Sequence, residues 1–175
     1  MPESAPPQTA RRIRPASASD LPRLTEIYNH YVVHSPATFD LQPKTVGERA
    51  EWFAQFAETG RHRLMVAEGD GGLLGYAGTT RFRAKPGYQR TVETTIYCAP
   101  EAVGRGVGVQ LYTALFAAIA GEDVHRIVAG YVPPNRASER LHARMGFRVV
   151  GVFTEQGYKL GRYWDVCWME RPLKL

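Results

Sequence analysis

Three glycines at alternate positions indicate a binding site for an anion. Gly104, Gly106 and Gly108 lie between a strand-like segment at 91–98 and a segment whose apolar residues have helical spacing. Closely spaced glycines let backbone N–H groups converge on one point, and a following helix N-terminus adds partial positive charge. The G-x-G-x-G spacing matches neither a P-loop nor the dinucleotide fingerprint. The turn therefore predicts a phosphate cradle, with a simple tight turn as the alternative.

Other familiar reaction centres are not indicated. His30 and His34 are four residues apart, but no H-E-x-x-H pattern or third ligand accompanies them, so we expect no metal site. The G-x-S-x-G elbow of hydrolases is absent. Cys98 and Cys167 lie in apolar segments without metal-ligand spacing and are too few for a disulfide framework. This cysteine usage favours a reducing cytoplasm.

The glycine turn is part of an alternation of strands and helices. Four helices are predicted: one capped by Ser19, one from a Thr45/Glu48 capping box to Gly60, one after the glycine turn and one after Asn135. Strands are predicted at 13–16, 64–67, 73–77, 91–98, 126–132, 148–153 and 163–171. This order predicts a mixed α/β sheet with helices on its faces.

Composition limits the classes of protein to which the chain can belong. Its 175 residues, 44% hydrophobic and 22% charged, predict a flexible tail at 1–10 followed by one domain at 11–175. No apolar segment reaches the roughly 20 residues that a membrane span needs. The net charge of +5 attracts anions, but the basic residues are dispersed. We therefore expect an anionic small molecule as ligand, and neither nucleic acid nor a membrane.

The segment that follows the predicted strand at 126–132 makes the interpretation of the glycine turn more specific. Asn135-x-x-Ser138 opens a helix that contains His142 and ends at Gly146-Phe147. Together with the glycine turn, this segment resembles the GNAT superfamily of acyl-CoA N-acyltransferases. Further short matches resemble the phosphinothricin N-acetyltransferase branch over about 13–171: Asn29-His30-Tyr31, Thr38-Phe39, Ala77-Gly78, Glu93-Thr94-Thr95-Ile96-Tyr97, Leu111-Tyr112, Pro134-Asn135, Leu141-His142, Lys159-x-Gly161 and Asp165-Val166.

The resemblance implies a fold and an activity. The fold is α/β of the GNAT type, with a mixed, mostly antiparallel central sheet and helices on both faces. The activity is direct transfer of an acetyl group from acetyl-CoA, without a metal, to the α-amine of an amino-acid-like acceptor. Phosphinothricin, methionine sulfoximine and methionine sulfone are the acceptors that it suggests, and a cytoplasmic homodimer is the implied assembly. A GNAT enzyme for another amine or a protein N-terminus is one alternative, and a non-catalytic acyl-CoA sensor is another.

Two catalytic residues follow from the resemblance. An α-amine with a pKa near 8 is mostly protonated at pH 7 and has no free lone pair until it loses a proton. Glu93 matches the family's catalytic glutamate, and a positioned base typically raises a rate by a factor of about 100 to 10,000. His142 stands where many relatives have a tyrosine, and it can act with Glu93 as base or protonate the leaving thiolate.

The resemblance also assigns binding residues. Acceptor contacts fall on Arg81, Arg83 and Tyr88, with Phe39 and Tyr163 as further walls, because arginine pairs well with a carboxylate or phosphinate. The chain has Val103 where the family has Gln or Arg, and its loop at 83–88 is about two residues longer than usual. Cofactor contacts fall on Ile96, Tyr97, Cys98, Gly104, Arg105, Gly106, Val107, Gly108, Val109, Asn135 and Ser138.

Overall fold

A seven-stranded sheet runs through the protein, whose computed structural model describes residues 11–174. The predicted tail at 1–10 lies outside these residues. The strands are β1 (Arg12–Pro15), β2 (Leu64–Gly69), β3 (Gly72–Arg81), β4 (Thr91–Cys98), β5 (Arg126–Tyr131), β6 (Arg148–Lys159) and β7 (Arg162–Pro172). The helices are α1 (Leu21–His34), α2 (Val46–Phe53), α3 (Val107–Ala118) and α4 (Arg136–Arg144).

The sheet is mixed and mostly antiparallel, as expected. Its strand order is β1-β2-β3-β4-β5-β7-β6, and β4 with β5 is the parallel pair. The predicted hairpin joins β2 to β3 through Asp70 and Gly71. Within the described residues, no helix is both long and apolar enough to cross a bilayer.

The helices cover both faces of the sheet. Neighbouring residues of a strand point to opposite faces, and β4 shows both environments. The Tyr97 ring packs against Tyr28 and Tyr31 of α1, with centroids 5.3 Å apart in each pair. Ile96 instead lies beside Gly108 of α3. One layer therefore contains α1 and α2, and the other contains α3 and α4.

Local sequence signals account for several element boundaries. The Thr45 hydroxyl accepts a hydrogen bond from the Glu48 N–H at 3.2 Å, and the Glu48 carboxylate accepts one from the Thr45 N–H at 2.7 Å. This is the predicted capping box at the start of α2. β4 spans the predicted 91–98. Both predictions rest on residues within or next to the element that they concern.

Other boundaries differ from the sequence prediction. A 3-10 turn at Ala18–Asp20 precedes α1, so Asp20 rather than Ser19 is its N-cap. α2 ends at Phe53 rather than Gly60, although Trp52 and Phe56 still pack with ring centroids 4.9 Å apart. β6 continues to Lys159 instead of ending at residue 153. β6 is an edge strand with mostly exposed residues on both faces, so its sequence lacks the alternation that marks a half-buried strand.

Candidate active site

The central feature of the site is a gap between two parallel strands. β4 and β5 pair at Thr91, Val92 and Glu93, and no pairing follows beyond Glu93. β4 itself remains paired with β3 as far as Cys98, while β5 is paired with β7 along its whole length. The β5-facing edge of residues 94–98 therefore has backbone groups free for a ligand, and Glu93 stands at the apex of the wedge.

A cleft of about 620 Å³ occupies this wedge. Strand β4 from Glu93 to Cys98 forms one wall, and the glycine turn and the start of α3 form a second. Asn135, Ser138 and His142 close it from α4. Of the predicted cofactor residues, Arg105 is exposed and is not part of the cleft wall, whereas the others line it.

The glycine turn has the backbone geometry that its sequence suggested. Gly104 and Gly106 adopt left-handed conformations, with φ of +80° and +79°, and Gly106 is the N-cap of α3. A side chain at either position would meet no atom within 4 Å, so the backbone conformation and not lack of space favours glycine. Gly108 differs, because a Cβ there would lie 2.9 Å from Leu141 Cδ2 of α4. The turn thus directs the N-terminus of α3 into the cleft.

Asn135 has a structural role that the sequence pattern also predicts. Its side-chain oxygen accepts a hydrogen bond from the Ser138 N–H at 3.0 Å, so it caps α4. Because Asn135 and Ser138 both line the cleft, the cap fixes the helix end that faces a ligand.

Glu93 has the environment of a general base. Burial raises the pKa of its carboxyl above the ordinary value, and the positive charge of Arg83 lowers it by a smaller amount. No side-chain hydrogen bond to the Glu93 carboxylate occurs within residues 11–174, which leaves its oxygens available to a bound amine. A carboxylate with a raised pKa takes a proton from an ammonium group more readily than an exposed one does.

His142 is buried and bonded at both ring nitrogens. Nδ1 lies 2.8 Å from the Ser138 carbonyl oxygen, which only accepts, so this nitrogen carries the proton and donates. Nε2 lies 3.0 Å from the Tyr112 hydroxyl and therefore accepts from it. Burial lowers the pKa of His142, and the bond to Ser138 opposes this effect only in part. His142 is thus a neutral imidazole at pH 7.

Tyr112 is a site residue to which the sequence analysis gave no role. It lies on α3, is fully buried and lines the cleft beside His142. Burial raises the pKa of its hydroxyl above the ordinary value. The Leu111-Tyr112 match was the only available signal, and helical spacing alone assigns such a tyrosine to the core.

The predicted acceptor residues are only partly brought together. Arg81 and Arg83 are both exposed, and the charge of Arg83 acts on the Glu93 carboxyl. Tyr88 is also exposed and packs against the Phe82 ring at 5.8 Å. None of these three side chains lines the cleft itself.

Phe39 and Tyr163 lie around the β6–β7 hairpin. The Phe39 ring covers Gly157 so closely that a Cβ there would overlap it. The buried side chain of Lys159, at the end of β6, donates to the carbonyl oxygen of Thr38 at 2.7 Å. This bond holds the chain next to Phe39 against β6. Tyr163 instead packs against Tyr158, with centroids 5.0 Å apart, and is 60% exposed. The Phe39 ring is therefore fixed against β6, whereas the Tyr163 side chain faces outward.

Metal ligands are not clustered in the described part of the chain. No group of three or more His, Cys, Asp or Glu side chains in residues 11–174 is arranged to hold a metal ion. His30 and His34 pack against each other with ring centroids 5.0 Å apart. Cys98 and Cys167 are both free thiols, and burial raises the pKa of Cys98 to about 11.

Comparison with known proteins gives one consistent result. Residues 13–168 match the acetyltransferase (GNAT) domain. The chain is 53% identical over 170 residues to a phosphinothricin N-acetyltransferase of Streptomyces coelicolor, covering 95% of this chain and 99% of the relative. It is 35% identical over 161 residues to an L-methionine sulfoximine/L-methionine sulfone acetyltransferase of Pseudomonas paraeruginosa, covering 92% and 94%.

Solved structures agree with the sequence relatives. A GNAT superfamily phosphinothricin acetyltransferase from Sinorhizobium meliloti, solved in complex with acetyl-CoA, superimposes with a TM-score of 0.86 at 33% identity. The match covers 93% of this chain and 88% of that structure.

The glycine turn can be tested by Gly106→Glu. A side chain in the left-handed conformation costs about 1–2 kcal/mol, and the added carboxylate repels a phosphate. We expect the Kd for acetyl-CoA, measured by calorimetric titration, to rise by roughly tenfold or more. Gly71→Glu, on an open hairpin turn where a Cβ meets no atom within 4 Å, is the matched control. Equal Kd values for a folded Gly106→Glu variant and the wild type would reject the site.

Proposed function

The chain belongs to the GNAT acetyltransferase family and is an acetyl-CoA-dependent N-acetyltransferase, and from this we propose its acceptor and the roles of its residues. The acceptor is an amino acid of the phosphinothricin, methionine sulfoximine or methionine sulfone type, acetylated on its α-amine. The names of the relatives in Streptomyces coelicolor and Pseudomonas paraeruginosa support this class. Residues 11–175 act as one domain, and both free thiols fit a cytoplasmic location.

The wedge between β4 and β5 is the observation that carries the proposal. Its unpaired backbone edge fits the extended, amide-containing arm of CoA, and the N-terminus of α3 fits the pyrophosphate. Gly104, Gly106, Gly108, Asn135 and Ser138 are placed to hold that cofactor. Bound there, acetyl-CoA supplies the thioester carbon that the amine attacks.

Glu93 acts as general base. Its carboxylate stands where the two strands separate, on the face of β4 that packs against α1 and α2. An acceptor ammonium group that enters from this face gives its proton to Glu93, and the freed lone pair is then aimed into the wedge. The raised pKa of Glu93 makes the difference between its pKa and that of the amine smaller, so the proton transfer becomes less unfavourable.

His142 acts on the opposite side of the wedge. The His142 Nδ1–H donates to the Ser138 carbonyl oxygen, and Nε2 accepts from the Tyr112 hydroxyl. Both ring nitrogens are therefore engaged. Tyr112, whose hydroxyl is oriented by His142, gives its proton to the departing thiolate and becomes a phenolate, which is reprotonated from solvent because the Nε2 of neutral His142 carries no proton to return. With Nε2 engaged by Tyr112, His142 is linked to protonation of the thiolate only through the orientation of that hydroxyl, and we assign it this role rather than deprotonation of the amine.

Arg83 binds the α-carboxylate of the acceptor. Its charge already acts on Glu93, so an acceptor carboxylate beside it would place the neighbouring α-amine within reach of the base. Arg81 lies at the end of β3 opposite Val92, so its side chain is on the other face of the sheet from Glu93 and Arg83 is the arginine assigned to the acceptor. The longer loop at 83–88 shapes the entrance to the site.

The homodimer expected from the resemblance is proposed to form through β6. This edge strand and its hairpin expose large apolar side chains along their length, at Val149, Val150, Val152, Phe153, Tyr158, Leu160 and Tyr163. An exposed strand edge with a contiguous apolar surface is a pairing site for another chain. A second copy of β6 offers the same apolar residues, as a two-fold interface requires.

The acceptor class is tested by thiol release from acetyl-CoA. We expect phosphinothricin, methionine sulfoximine and methionine sulfone to give the highest kcat/KM values in a panel of free amino acids, other amines and peptides. A peptide preference would assign the enzyme to protein N-termini. Acetyl-CoA binding without thiol release for any acceptor would contradict the proposal.

Glu93→Gln tests the base in the same assay. The amide keeps the size of the side chain but cannot take the proton, so we expect kcat at pH 7 to fall by about 100-fold or more while acetyl-CoA still binds. Since burial raises the pKa above 4.5, the wild-type rate falls on the acid side around a midpoint above that value. The residual rate of the variant should instead follow the fraction of neutral amine as pH rises. Glu58→Gln removes an exposed carboxylate and is the control.

Val150→Glu tests the dimer. Val150 is 59% exposed, so the change should leave the folded chain intact while placing a buried charge in the interface. Light scattering coupled to gel filtration should give the wild type twice the 19.6 kDa chain mass and the variant a single chain mass. Val33→Glu, at an exposed position of α1, should remain a dimer. A wild-type mass of one chain would disprove the assembly.

A further inference from the structure

Arg49 is a buried cation held between aromatic rings. It lies on α2, is 5% exposed, and its guanidinium carbon is 3.5 Å from the Trp52 ring centroid and 4.4 Å from that of Tyr28. These faces stabilise the positive charge. They leave the edge of the planar group, which carries the N–H donors, for other partners.

Most of those donors have no partner among residues 11–174. Nη2 donates to the Tyr76 hydroxyl at 3.2 Å, whereas Nε is buried and has no hydrogen-bond partner in the described part of the chain. No carboxylate of the described residues lies within salt-bridge distance of Arg49. A buried guanidinium without an anion is costly, and an unsatisfied N–H adds to that cost. An oxygen-bearing group of a ligand would satisfy these donors.

A cavity of about 390 Å³ lies next to Arg49. Acidic residues in its wall are occupied elsewhere or exposed. Asp40 accepts from the Tyr28 hydroxyl at 2.8 Å and is 3.7 Å from the Lys44 ammonium. Glu48 caps α2, and Glu51 is exposed. Arg49 is thus the buried charged group that a ligand in this cavity would meet.

The cavity adjoins the reaction cleft. Thr95 and Tyr97 form part of the wall of both. Alternate residues of a strand point to the same face, so one face of β4 carries Glu93, Thr95 and Tyr97. Two residues of a strand span roughly 7 Å. The end group of a phosphinothricin or methionine sulfone side chain lies four or five single bonds from its α-amine, or about 5–6 Å. An acceptor with its amine at Glu93 therefore extends along β4 towards this cavity.

We propose that Arg49 binds the tetrahedral, oxygen-bearing end group of the acceptor side chain. The group is a sulfone, sulfoximine or phosphinate, whose oxygens accept from the free edge of the guanidinium while Tyr76 and Trp52 hold it in place. This assignment rests on the proposed function, since it takes the acceptor class from there. It makes Arg49 a specificity-determining residue, with Arg83 reserved for the α-carboxylate that all amino-acid acceptors share.

The test compares two acceptors that differ only at the end group, methionine sulfone and methionine. With the wild type, kcat/KM should favour the sulfone by more than tenfold. Arg49→Met should lower kcat/KM for the sulfone by about 10- to 100-fold and leave the value for methionine within a factor of about three. Arg83→Ala should lower both values by similar factors. Arg12→Met, which removes an exposed arginine of β1, should change neither.

Each outcome bears on one proposal. Equal losses for both acceptors in Arg49→Met would show a structural role only and overturn the inference, and so would equal wild-type rates for sulfone and methionine. If Arg49→Met does not fold, Arg49→Lys keeps the charge without the planar donor edge and should also reduce the sulfone preference. A wild type that acetylates neither acceptor would instead contradict the proposed function.

Discussion

The separation of β4 from β5 beyond Glu93 is the constraint on which the rest of the site depends. Strands that lie side by side normally satisfy each other's backbone groups, so leaving an edge open requires that each strand be fixed from its other side. β3 holds β4 as far as Cys98, and β7 holds β5 along its length. Packing of Tyr97 against the aromatic rings of α1 and of Ile96 against Gly108 of α3 fixes the two faces of β4. The cleft is therefore already open before any ligand arrives.

Burial then tunes the groups at the two sides of this opening in opposite directions. It raises the pKa of Glu93, an acid, and lowers the pKa of His142, a base. Both shifts favour the neutral form, yet their results differ, since a carboxylate becomes a stronger base and an imidazole stays uncharged beside a tyrosine hydroxyl. A single physical effect thus leaves a stronger base on one side of the opening and a neutral imidazole bonded to a tyrosine hydroxyl on the other.

Much of this organisation could be predicted from sequence, because its signals are local. The capping box of α2, the limits of β4 and the left-handed glycines all depend on residues only a few positions apart. The partners of Arg49 and His142 could not be predicted, since Tyr76 lies 27 positions from Arg49 and Tyr112 lies 30 positions from His142. The early end of α2 and the length of β6 likewise depend on which neighbours cover or expose them.

The alternating faces of β4 have an evolutionary consequence. Thr95 and Tyr97 line the cavity beside Arg49, whereas Ile96 packs towards α3 and the glycine turn. Substitutions at Thr95 and Tyr97 would therefore change the wall of this cavity. Ile96, on the other face, would keep its packing against α3. The two faces of one strand can therefore vary independently, one in contact with the cavity beside Arg49 and the other with the glycine turn.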